Sequence, residues 1–179
     1  EQIDILINNS GGPPPTPVLG VDLNIWRRYF ESLILSIIRI NDALIPGMRL
    51  RGWGRVLSVL STGVVQPIPT LVISNSLRSV LLAWSKTLAR EVAADGVTMN
   101  TIAPGRIATE RIRELDEATA LREKLEKEEV RAINERNLPI GRYGEIDEFA
   151  SVAVFLVSQS ASYLTGQFIC VDGGLVAGI

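Results

Sequence analysis

Apolar residues in this chain come in two kinds of run, and the two alternate. The short kind is nearly continuous and stops at polar or turn residues: IDILINN (3–9), RVLSVLS (55–61), VTMNTIA (97–103) and QFICVD (167–172). Such runs read as buried strands. The long kind repeats every three to four residues. Asp22 can cap a helix running towards Met48, with Trp26, Tyr29, Phe30, Leu33, Ile37, Ile40 and Leu44 on its buried side. In LVISNSLRSVLLAWSKTLAREV, residues Leu77, Val80, Leu81, Trp84, Leu88 and Val92 make one apolar stripe. Glu145 to about Ser158 reads as another amphipathic helix, with Phe149, Val152, Val154, Phe155 and Leu156 as its apolar content. Residues 110–137 are densely charged and read as helix with little apolar surface to bury. Strands that alternate with helices of this length imply an α/β fold. Its sheet is parallel, covered on both faces and connected by right-handed crossovers.

Composition narrows the chemistry. A length of 179 residues, a net charge of -2 and 46% hydrophobic residues fit one soluble domain with a sizeable core. The slightly acidic balance offers nothing to nucleic acid or to an anionic membrane, and no apolar run is long enough to span a bilayer. Cys170 stands alone, so no internal disulfide forms, which fits a cytoplasmic location. The chain has no histidine. That excludes Ser-His-Asp and Cys-His catalysis and histidine-based zinc sites. Acid-base work falls to carboxylates, Lys, Tyr, Cys or an activated hydroxyl. A strand-like run begins just after Glu1, so the chain is expected to start inside a larger domain.

In an open parallel sheet, ligands bind beyond the carboxyl ends of the strands. The four ends here carry Asn8, Asn9, Ser10, Gly11 and Gly12; then Ser61, Thr62 and Gly63; then Pro104, Gly105 and Thr109; then Asp172, Gly173 and Gly174. Each cluster alone reads as a turn. Their shared place on one sheet edge points to a site. The glycine-rich turn between a strand and a helix that a dinucleotide fold uses is not found: GMRLRGWG precedes a strand, and DGGLVAG has no helix after it.

These residues resemble the short-chain dehydrogenase/reductase family, in its 3-oxoacyl-acyl-carrier-protein reductase-like branch. LINNSGG is similar to the family's N-N-A-G strand end, and GRVLSVLS to its G-x-I-V-N-I-S-S strand. LAREVAADGVTMNTIAPGRIATE resembles its helix, strand and P-G-x-x-x-T segment, and PIGRYGEIDEFASVAVFLVSQSASYLTGQFICVDGG its C-terminal signature. The resemblance covers essentially the whole chain, and about the C-terminal two-thirds of a family domain. It implies a Rossmann-like, three-layer, doubly wound sheet whose N-terminal part is missing here. Residues 1–179 would form a single NAD(P)-binding domain, with 106–140 as a substrate lid. It implies hydride transfer between NAD or NADP and a small-molecule carbonyl or alcohol, and a homodimer or homotetramer.

Carried over by position, the resemblance places Ser61 on the family's substrate-binding serine. Asn8, Ser10, Gly11, Pro104, Gly105, Ile107 and Thr109 fall on its cofactor-binding positions. Three positions depart. Ser74 stands where the family has its proton-donating tyrosine, Arg78 where it has its lysine, and Leu33 where it has a relay asparagine. Serine lacks a phenol's reach and its ionisation near pH 10. Arginine keeps a cation for the cofactor ribose but releases no proton. Ser74 therefore reads either as a helix N-cap or as a catalytic group carrying a water. Arg78 reads as a cofactor ligand or as a surface ion-pairing residue. Tyr143 and Tyr163 read as packing residues. A catalytically degenerate, cofactor-binding or oligomer-forming member is the alternative function. A serine hydrolase is remote, for want of histidine and of a G-x-S-x-G turn.

Overall fold

The computed structural model describes residues 2–178. Glu1 and Ile179, the ends of the expected 1–179 domain, lie outside the described residues. Four strands form one parallel sheet in the order β1 (Ile5–Asn8), β2 (Gly54–Val59), β3 (Val97–Pro104) and β4 (Phe168–Val171). Each expected strand is present; β1, β2 and β4 are shorter than expected, whereas β3 runs one residue further, to Pro104.

Successive strand residues face opposite sides of a sheet, and β2 shows what covers each side. Val56 packs with Ile45, Met48, Val92 and Met99. Its neighbour Leu57 packs with Ile102 and Leu156. One face is thus covered by α2 (Ser36–Arg51) and α3 (Val72–Val92), the other by α6 (Ile146–Leu156). That is the three-layer arrangement the alternating runs imply. Among the described residues β1 departs from the expectation of a buried strand: Ile5 and Ile7 are 45% and 51% exposed.

The helix expected over 22–48 begins as predicted. Asp22 caps α1 (Leu23–Phe30) by accepting from the Asn24 amide at 2.8 Å. A π-helical turn over Glu31–Leu35 then inserts one extra residue before α2. The insertion rotates everything after it. Ile37, Asn41, Ile45 and Met48 become the buried line, while Ile40 and also Phe30 are exposed, against the expectation.

The charged segment folds as two helices, α4 (Glu110–Glu123) and α5 (Lys127–Arg136). They part at Lys124, which adopts a left-handed φ of 56°. Val80, Val154 and Phe155, expected on buried stripes, are exposed. Tyr163 is fully exposed, which removes the packing role expected for it.

Candidate functional site

The carboxyl edge of the sheet opens into a cavity of about 1150 Å³. Ser61, Ser74 and Arg78 all line it, with Ser10, Gly11, Pro104, Gly105, Ile107 and Thr109. Asn8 does not. Its Nδ2 donates to Ser58 Oγ at 3.0 Å, and its Oδ1 accepts from Asn41 Nδ2 at 3.3 Å. Its amide is consumed in the interior and holds the strand end from below.

The local chemistry explains each loop. Ser61 follows β2 in extended conformation and caps a short turn, its Oγ accepting from the Gly63 amide at 3.1 Å. Among the described residues nothing accepts the hydroxyl proton of Ser61. A Cβ on Gly63 would lie 2.3 Å from Asn75 Oδ1, so glycine is what lets α3 begin against this turn. Likewise a Cβ on Gly105 would lie 2.5 Å from Asp172 Cα, where the chain leaving β3 passes the end of β4. Thr109 caps α4 through its Oγ1 and the Ile112 amide at 3.4 Å.

Ser74 is not the N-cap. α3 starts at Val72 behind Leu71, and Ser74 sits buried inside the first turn with its side chain on the cavity. The reading of Arg78 as a surface or ion-pairing residue also falls. Arg78 is only 7% exposed, and no carboxylate pairs with it among the described residues. Its Nη1 donates to the Val59 carbonyl at 2.8 Å, and its Nη2 to the carbonyls of Ser10 and Gly11 at 3.3 Å each. One guanidinium thus ties the end of β2 to the loop after β1. Burial, and then the charge of Arg111, lower its pKa from the ordinary arginine range to about 10, so it remains a cation at neutral pH.

Other residues of the site carry no signal in the sequence. Arg111 donates through Nη2 to the Pro13 carbonyl at 2.6 Å, closing α4 onto the loop after β1. Below it, Asp116 is buried and accepts from three groups: Arg106 Nη1 at 3.0 Å, Asn134 Nδ2 at 3.1 Å and the Tyr143 hydroxyl at 2.8 Å. This hub joins α4, α5, the loop after β3 and the segment before α6. Burial first, and then its bond to Asp116, push the Tyr143 phenol above its ordinary range. Tyr143 does not line the cavity, so it does not replace the tyrosine absent at position 74.

Comparison with known proteins agrees with this geometry. A family model described as enoyl-(acyl carrier protein) reductase matches residues 1–176. The chain is 33% identical over 175 residues to the 3-oxoacyl-[acyl-carrier-protein] reductase of Vibrio harveyi, an alignment that takes in 97% of this chain and 66% of that protein. The chain therefore spans just under two-thirds of that relative's length. Among solved structures, YwfH, an NADPH-dependent reductase involved in bacilysin biosynthesis, superposes with a TM-score of 0.94 at 26% identity, over 99% of this chain and 68% of that one. L-sorbose reductase from Gluconobacter frateurii, complexed with NADPH and L-sorbose, superposes with a TM-score of 0.91 at 31% identity, over the same shares. The parallel sheet, the strand-end loops and a match that runs almost the full chain agree: the chain belongs to the short-chain dehydrogenase/reductase family, in its 3-oxoacyl-acyl-carrier-protein reductase-like branch.

Proposed function

We propose that the protein is an NAD(P)-dependent oxidoreductase that interconverts a small-molecule ketone and alcohol. The observation that carries this reading is the convergence of Ser61, Ser74 and Arg78 on one cavity at the carboxyl edge of the sheet. NADPH is named with two structural relatives and supports the same cofactor class here.

The residues present fit a dinucleotide. Ser10 Oγ is buried with no hydrogen-bond partner among the described residues, and a Cβ on Gly11 would meet nothing within 4 Å. The loop after β1 thus offers both a spare polar atom and room. Ser10, Gly11, Pro104, Gly105, Ile107 and Thr109 would hold the cofactor along this edge. When bound, the nicotinamide supplies or accepts the hydride.

The chain's own residues do the rest. Ser61 Oγ–H donates to the substrate oxygen and fixes the carbonyl face. Arg78 places a fixed, buried cation beside the oxygen as negative charge develops there, where little water screens it. Ser74 Oγ holds the water that delivers the proton to that oxygen, since the serine itself does not ionise in this range. Asp116 keeps α4 and α5 over the cavity as the substrate lid.

The test is Ser61→Ala in the full-length protein, assayed by NADPH and NADH oxidation on a panel of ketones. Turnover should fall by about 100-fold or more, the usual size for one oriented donor to a developing oxyanion. If turnover stays within twofold and only the melting temperature drops, Ser61 is a turn cap alone. A parent protein that oxidises neither NADPH nor NADH on any ketone of the panel would instead be a cofactor-binding member without this chemistry.

A further inference from the structure

The charge around the cavity is lopsided. Its lining holds Arg78, Arg106, Arg111 and Arg122, but among the described residues Glu114 is its only carboxylate. Arg106 is matched by Asp116, and Arg122 by Glu123. Arg78 and Arg111 are different. Both grip the same short stretch of loop, Arg78 at the Ser10 and Gly11 carbonyls and Arg111 at the Pro13 carbonyl. Between these grips, a Cβ on Gly12 would lie 3.3 Å from Arg111 Nη2, which shows how closely that guanidinium packs on the loop. Arg111 has Glu114 at 3.3 Å, and that glutamate is largely exposed. Arg78 has no carboxylate, and its Nε–H has no partner among the described residues.

A buried cation beside a second cation is costly unless an anion completes the group. Among the described residues the protein supplies only the exposed Glu114, on Arg111, and no carboxylate on Arg78, so a ligand is the remaining source of an anion for Arg78. The place of the charge says which part of the ligand that is. Arg78 is one helical turn from Ser74 and bonds the Val59 carbonyl, two residues before Ser61. The unmatched charge therefore sits at the hydroxyl end of the cavity, where the reacting carbonyl is oriented. Guanidinium forks suit planar oxyanions.

We propose that the substrate of this site is an oxo acid, whose free carboxylate seats against Arg78 and Arg111 while its carbonyl meets Ser61. This inference rests on the oxidoreductase reading above for the role of the carbonyl. The carboxylate seat itself is measurable without turnover.

The experiment uses the full-length protein without cofactor. Pyruvate, 2-oxobutyrate and acetoacetate are each titrated beside their methyl esters and followed by calorimetry. The acids should bind at least ~10-fold more tightly than the esters, the scale of one charged hydrogen bond. Arg111→Gln should remove most of that preference. Arg78→Lys keeps the cation and should keep it, whereas Arg78→Met should lose it if the variant folds. Equal affinity for acids and esters overturns the proposal, and so does a preference that Arg111→Gln leaves untouched. NADPH and inorganic pyrophosphate are titrated in parallel. If Arg111→Gln weakens these two and spares the acid-to-ester ratio, the anion belongs to the cofactor and the proposal fails. If NADPH does not bind at all while the acids still do, the carboxylate seat stands and the oxidoreductase reading is what falls.

Discussion

Arg78 works against the stability of the folded chain in one respect and for it in another. Its pKa is lowered on folding, from the ordinary arginine range to about 10. A lowered pKa on a cation means that the unfolded chain binds the proton more tightly. The electrostatic cost is therefore full at neutral pH and lifts only as the pH rises through about 10. Against that cost stand three backbone carbonyls, on Val59, Ser10 and Gly11, that the guanidinium fork satisfies together. An ammonium group is a compact donor and cannot span the same three. Arg78→Lys should thus lower stability by roughly 1–3 kcal/mol, the usual cost of a buried acceptor left unpaired. Urea unfolding at pH 7 checks this, and an unchanged midpoint would mean that the loop after β1 needs no tie. The register that puts Ser74 and Arg78 on the cavity was legible only through the family resemblance, which aligns them with its tyrosine and lysine positions after Ser61. Their surroundings were not. Nothing in SNSLR says that the helix starts two residues before Ser74, or that Arg78 meets carbonyls instead of a carboxylate.

Helices carried more of the surprise than strands. Periodicity located α1 and α2 as one element, but the π-helical turn at Glu31–Leu35 adds a residue that no hydrophobic pattern announces. Every residue after it is displaced around the axis, which is why Ile40 faces outward and Ile45 inward. Helices α4 and α5, proposed above as the substrate lid, showed in the residues themselves only as a charge run. A charge run normally reads as a solvated face, and most of this one is. Asp116 departs from that rule, because four segments converge on it. Asp116→Asn removes the charge facing Arg106 and turns an amide towards one of the three donors. The loss should be about 1–3 kcal/mol locally, and α4 and α5 should separate more readily. Limited trypsin digestion reports this directly, since the break at Lys124 lies between them. Cleavage there should accelerate well before the sheet unfolds, and an unchanged rate would show that the hub does not hold the lid.

The molecule as a whole follows from the alternation of runs. Parallel pairing β1-β2-β3-β4 with helices on both faces is the arrangement that buries four apolar strands connected by amphipathic helices. What alternation cannot specify is which apolar residues stay uncovered. On one face, Leu23, Phe30, Ile40 and Val80 are exposed along α1, α2 and α3. On the other, Ile146, Val154 and Phe155 are exposed on α6, and Tyr163 just beyond it. Scattered exposed apolar side chains need no explanation, whereas contiguous apolar patches mark association surfaces. We propose that these two sets, on opposite faces of the sheet, serve as two separate interfaces in a dimer of dimers. We therefore expect the full-length protein to run as a homodimer or homotetramer in size-exclusion chromatography with light scattering. Val80→Lys, on the exposed side of α3, should shift that mass downwards while leaving the far-ultraviolet circular dichroism unchanged. Val154→Lys should reduce a tetramer to a dimer and no further. A monomeric full-length protein would show instead that both apolar sets are ordinary surface.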